Sequence, residues 1–273
     1  MPVLRVFSYL PNPRLMKAII AARLCSLKIE IRGGKPSELK NWLWDFDAHL
    51  LEDADRARSD IIVQPSHTGF DSILYKTESF LAAHPFGTVP AAFSPDGGTG
   101  IFESNSILRA VARLGSDKFP LYGKDPYEAS RIDSFLDTAL LLARQSQIYL
   151  LSLSQKKCNE RIRDETAKAF DIFLTGIDNA VFKNTSGIVN NSLSIADICF
   201  ACEICQLSRD RAHLQTLADN RLAKVYNIKE MEEKYPFAMQ HFQQLSKHSA
   251  FTPDIAPLMK KLSEREATFV KGH

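Results

Sequence analysis

No window of this 273-residue chain approaches the roughly 18–20 consecutive apolar residues that span a bilayer. The opening MPVLRVFSYLPNPR also lacks the apolar core of a secretory leader. Blocks of like charge are missing too: 34 Lys and Arg stand against 32 Asp and Glu, so there is no basic footprint for nucleic acid. Cysteine is scarce, with five residues, an odd number in a chain large enough to build a core without disulfide staples. These absences predict a cytoplasmic protein with reduced thiols and no membrane or nucleic-acid partner. Three of the cysteines form CFACEIC, as Cys199, Cys202 and Cys205. No fourth ligand is spaced to complete a metal or cluster site, and small buried residues recur at this spacing on an apolar helix, so the run reads as packing and no metal is expected. Hydrophobic residues make up 45% and charged residues 24%, which is the composition of a globular chain of one to two domains.

The two halves of the chain differ in pattern. VLRVFSY alternates as a strand, PNPR breaks it, LMKAIIAARL carries a compact helical pattern, and KIEIR is a second strand. TVPAAF and GIFES read as short strands joined by SPDGGT, whose Asp-Gly-Gly is hairpin chemistry, and a helix begins at Ser104. The order is β-α-β, an intervening segment, then β-β-α. After residue 125 only helical periodicity persists. There, Ser194 followed by Asp197 three residues on predicts a capping box.

HPFGTVPAAF poses a problem, because Pro90 sits inside an apolar strand with no N–H for a ladder. The element order resembles the thioredoxin-like layout, in which this proline follows a cis peptide bond and turns the preceding backbone outward to pair with a peptide-like ligand. A thioredoxin-like half followed by a helical half is the plan of the cytosolic glutathione transferases. TVPAAF, FESNSILR, SIADI and KYPFAMQHFQQLSKHSAF look like that family's fixed points, in order, across nearly the whole chain. Within the superfamily, VFSYLPNPRLMKAIIAA and HPFGTVPAAF…IFESNSI are similar to the transferase-like domain of the elongation factor 1B gamma subunit. The expected fold is an α/β thioredoxin-like domain over 1–117, with an inserted segment at about 33–75, and an all-α domain over 125–273.

The resemblance implies that glutathione is the cosubstrate. Thr88, Val89 and Pro90 form the backbone clamp for its cysteinyl part, and Glu103 with Ser104 receives the γ-glutamyl end. The bland reading of Glu103-Ser104 is a helix cap. The family usually places Tyr, Ser or Cys after the first strand to activate the thiol. If Lys17 is matched with the basic residue that opens the first helix, that position falls on Arg14, so the activating loop is Ser8, Asn12 and Arg14. Tyr9 reads as packing. His67 and Lys76 lie where a donor to the glycyl carboxylate is expected.

ELKNWLWDFDAHLLEDADRAR spaces Leu39, Trp42, Leu43, Phe46, Leu50 and Leu51 in near-helical fashion and is expected to form an added amphipathic helix. Trp42, Trp44 and Phe46 then either pack on their own domain or wall a second-substrate pocket or dimer contact. Two functions follow. One is a glutathione transferase acting on a small hydrophobic, aromatic electrophile, aryl ethers included, held against the helical half. The other is a non-catalytic interaction module like the gamma subunit. A homodimer, or a heterodimer with a related transferase, is expected. The chain ends near the end of the helical half, which favours the enzyme.

Overall fold

The computed structural model describes residues 1–66, 72–184 and 186–271. His67, offered above as a carboxylate donor, lies outside them. The chain divides into two compact units between Phe119 and Pro120.

In the first unit, Leu4–Phe7 forms β1, with Leu4 and Val6 buried on one face and Phe7 on the other. Asn12 then starts α1 (Pro13–Leu24): its side-chain oxygen accepts from Arg14 N at 3.0 Å, and Pro13 fills the first helical position, where no N–H is needed. Strand β2 (Ile29–Arg32) returns parallel to β1, and β7 (Ala91–Phe93) and β8 (Gly100–Phe102) add antiparallel, giving the order β2-β1-β7-β8. The turn between β7 and β8 closes with Ser94 N donating to Thr99 O at 2.9 Å. Gly97 in that turn has φ +78, and a Cβ there would lie 2.6 Å from the Phe46 ring, so both conformation and space require glycine. Helix α4 (Ser104–Leu114) follows and packs on α1. This is the thioredoxin-like arrangement expected.

The inserted segment is not the expected amphipathic helix. Residues Pro36–Asn41 form a 3-10 turn, followed by β3 (Trp42–Trp44), β4 (His49–Leu50), the single turn α2 (Asp53–Arg56), β5 (Ile61–Pro65) and β6 (Ile73–Thr77). They make a second sheet in the order β4-β3-β6-β5, and α3 (Glu78–Ala83) follows it. Helical spacing puts Leu50 on the buried face, yet it is 61% exposed. Pairing of β3 with β6, over 30 residues away, outweighs the local periodicity, and Trp is at home on a pleated surface.

Trp44 is 1% exposed; its Nε1 donates to Leu39 O at 3.0 Å, and its ring meets Phe7 and Phe80 edge-on. Trp42 lies 5.7 Å from the Phe7 ring, and Phe46 packs under Arg5 and over Gly97. All three therefore pack in or against the core that the two sheets share, with Phe93 and Leu74. Tyr9 packs against the same core.

The second unit is helical: α5 (Pro126–Ser154), α6 (Glu160–Lys183), α7 (Ile195–Leu207), α8 (Leu214–Asp219), α9 (Ile228–Lys234), α10 (Pro236–Lys247) and α11 (Thr252–Lys271). Asp125, Asn159 and Ser194 cap α5, α6 and α7 with side-chain oxygens. Every residue of α7 is buried, and Cys199, Cys202 and Cys205 fill core positions. Burial pushes the Cys205 thiol up to about 12. The capping box is present, with Ser194 N donating to Asp197 Oδ2 at 2.8 Å. The other oxygen of Asp197 accepts from Ile188 N at 2.9 Å and lies 2.7 Å from His241 Nε2. No helix among the described residues is long and apolar enough to cross a membrane.

Candidate functional site

The register of the first sheet gathers three short segments at one end. Ala91 pairs with Phe7 on one side and with Phe102 on the other. Just beyond these pairs, Pro90 leads into β7, Ser8 follows β1 and Glu103 follows β8. The loop Ser8–Arg14, the approach Thr88–Pro90 and the start of α4 therefore converge. Thr88 is exposed, Val89 half-buried and Pro90 buried, and the Val89–Pro90 bond is cis. A second cis bond, Leu10–Pro11, lies in the first loop.

Glu103 precedes α4 with φ 66 and ψ 125, a conformation that a residue with a Cβ rarely holds and that clusters at functional sites. No side chain caps α4, and Ser104 is its first helical residue, so the cap reading of this pair does not describe it. Instead Ser104 Oγ donates to Glu103 Oε1 at 3.0 Å. Beneath it lies Lys17, 1% exposed, whose Nζ donates to Asn105 Oδ1 at 2.8 Å and approaches Ser104 Oγ at 3.5 Å. The site thus offers an exposed carboxylate, a hydroxyl, helix N–H groups and a buried ammonium behind them. Sequence reasoning used Lys17 only as a marker and missed Asn105. The available signal was a lysine inside the apolar run LMKAII.

The activating loop is arranged differently from expectation. Ser8 is 0% and Asn12 2% exposed. Asn12 Nδ2 donates to Ser8 Oγ at 3.1 Å while its Oδ1 caps α1. Both side chains are thus engaged within the loop itself. Arg14 is half-buried, and of the three it alone carries a charge.

Lys76 is likewise not a surface donor. It is 4% exposed, its Nζ donates to Gly87 O at 2.7 Å, and it sits 4.8 Å from the centre of the Trp44 ring. Burial lowers its pKa. It ties the second sheet to the loop that leads into Val89. His84, 0% exposed and stacked on Phe102 at 4.9 Å, braces the other side of this loop, with Nε2 3.5 Å from Thr88 Oγ1.

Burial, with the nearby Lys76 ammonium, holds the His84 pKa below its ordinary value. The unfolded chain therefore takes up a proton near its normal pKa of about 6.5 while the folded chain does not, so stability is lost as pH falls below that point. Melting temperature followed from pH 7.5 to 5 should drop more steeply for wild type than for His84→Phe. Equal slopes would mean that His84 protonates freely in the fold.

No protein-family model matches the chain. In sequence it is 26% identical over 209 residues to elongation factor 1-gamma of Artemia salina, covering 74% of this chain and 38% of that one. It is 28% identical over 135 residues to probable elongation factor 1-gamma 1 of Arabidopsis thaliana, covering 47% and 31%. The chain thus spans about a third of the length of these relatives. In structure it matches a glutathione S-transferase of Methylobacillus flagellatus with glutathione bound, at a TM-score of 0.60 and 14% identity, covering 92% of this chain and 98% of that one. The chain thus has the fold of the glutathione S-transferases, and in sequence it is similar to elongation factor 1-gamma.

Proposed function

We propose that the first unit binds glutathione and presents it as a thiolate to a small hydrophobic, aromatic electrophile. The observation that carries this reading is the convergence of Val89–Pro90 with the strained Glu103 and with Ser104 at one sheet end. Glutathione is a peptide, and the Val89 backbone lies just before the first ladder pair of β7, where it meets the cysteinyl amide. The γ-glutamyl carboxylate replaces Glu103 as the acceptor of the Ser104 hydroxyl and faces the N-terminus of α4. Glu103, released, accepts from the ammonium group. The buried charge of Lys17 adds to the attraction for the carboxylate.

The thiol lies at the start of α1, where Arg14 favours the charged form. The sulfur forms a bond to the electrophilic carbon as the bond to the leaving group breaks, and the thiol proton passes to solvent. Rate comes from thiolate formation and positioning.

Ultraviolet absorbance of the bound thiolate against pH tests the activating residue. Arg14→Ala should raise the thiol pKa, one unit being about 1.4 kcal/mol, and Arg14→Lys should restore part of it. Ser8→Ala should lower the melting temperature and leave that pKa in place. A thiol pKa moved by Ser8→Ala and not by Arg14→Ala would return the role to the hydroxyl.

A second reading is a non-catalytic interaction module, and the similarity to elongation factor 1-gamma favours it. Retention on immobilised glutathione with turnover of a general aromatic electrophile selects the transferase; neither retention nor turnover selects the module.

A further inference from the structure

The second sheet ends on β5, which pairs antiparallel with β6 and with no other strand among the described residues. Glu78 N donates to Asp60 O at one end of this ladder and Ser66 N donates to Ser72 O at the other, both at 2.9 Å. Antiparallel ladders alternate bonded and non-bonded pairs, so Asp60, Ile62, Gln64 and Ser66 turn their backbone groups toward β6. Ile61, Val63 and Pro65 turn theirs away. The outer edge therefore offers the N–H and C=O of Ile61 and Val63, and only the C=O of Pro65, since proline has no N–H.

An edge of this kind is usually guarded by charge. Here Ile61, Ile62 and Val63 carry none, and Val63 and Ile73, which share one face at this edge, are each more than half exposed. The charges just before the strand neutralise each other, because Arg58 donates to Asp60 through Nε at 2.9 Å and through a terminal nitrogen at 2.7 Å. The strand thus presents no net charge to draw an acidic or a basic peptide. What it presents is open backbone and β-branched side chains.

We infer that β5 pairs with β5 of a second copy of this chain, antiparallel about a two-fold axis at Ile62, which joins the two four-stranded sheets into one. The register follows from the edge. Ile61 of one copy exchanges both bonds with Val63 of the other, the symmetric pair repeats this, and the two Ile62 side chains meet on the axis. Each apolar position then faces an apolar one, the pairing that stabilises a sheet. Asp60 falls opposite Gln64, so no like charges meet. Moving the axis to Ile61 would set Ile62 against Asp60, and moving it to Val63 would set Ile61 against Pro65, which cannot donate.

The test uses the full chain. Sedimentation over a range of concentrations should show a monomer–dimer equilibrium. Val63→Pro deletes one outward N–H from each copy and no bond to β6, so the dissociation constant should rise about tenfold or more with little change in melting temperature. At a non-bonded antiparallel pair the Cα atoms lie about 4.5 Å apart, within disulfide reach. The native cysteines are all buried. Ile62→Cys should therefore give a disulfide-linked dimer on air oxidation, whereas Val63→Cys, set two positions away from its own copy, should give far less. These variants keep the test valid if Val63→Pro folds poorly. A monomer at every concentration, a dimer that Val63→Pro leaves unchanged, or failure of Ile62→Cys to link more readily than Val63→Cys would overturn the inference.

Discussion

Ser104→Ala should weaken glutathione binding by about 1.5–3 kcal/mol, because a hydrogen bond to a charged carboxylate is lost. In affinity this is roughly 10- to 150-fold. The loss should appear in affinity and not in stability. Ser104 is the first helical residue, not the cap, and among the described residues its hydroxyl bonds Glu103 and Lys17. Removing it leaves the ammonium of Lys17 still bonded to Asn105. Titration calorimetry with melting on the same samples separates the two effects. A lower melting temperature with unchanged affinity would make Ser104 a structural residue.

Asp197→Ala should cost about 3–5 kcal/mol of stability, the range for breaking a buried charged network from one side. One carboxylate accepts from Ser194 N, Ser194 Oγ and Ile188 N and meets His241 Nε2, and it is 0% exposed. Alanine strands these donors in the core, each costing about 1–3 kcal/mol if it finds no water. The melting temperature should fall by roughly 6–20 °C. Asp197→Asn keeps an acceptor oxygen and should fall between the two. A change under about 1 kcal/mol for alanine would mean that water replaces the carboxylate.

Why some of this was readable from sequence and some was not follows from the range of the forces. Strand β1, the Asp-Gly-Gly hairpin and the Ser194 box rest on residues within a few positions of one another, so alternation and caps announce them. Leu39 to Leu51 misled because their spacing fits a helix, while their partner strand β6 lies over 30 residues further on. The positions of Val89, Pro90, Glu103 and Ser104 followed from motif order. Their meeting depends on register, which the hairpin turn sets. Ser8, Asn12 and Arg14 share a loop in which backbone order does not decide which side chain faces inward. Asn12 was readable as a helix cap, and that role removes its oxygen from other work. Lys76 and His84 brace the clamp loop from separate elements, and only the folded chain brings them together.

Amide chemical-shift mapping of the nitrogen-labelled chain against reduced glutathione tests the central claim most directly. The account predicts saturable shifts at Val89, Glu103, Ser104 and Asn105 and at the start of α1. Absence of saturable shifts, or shifts confined to the helical unit, would contradict it.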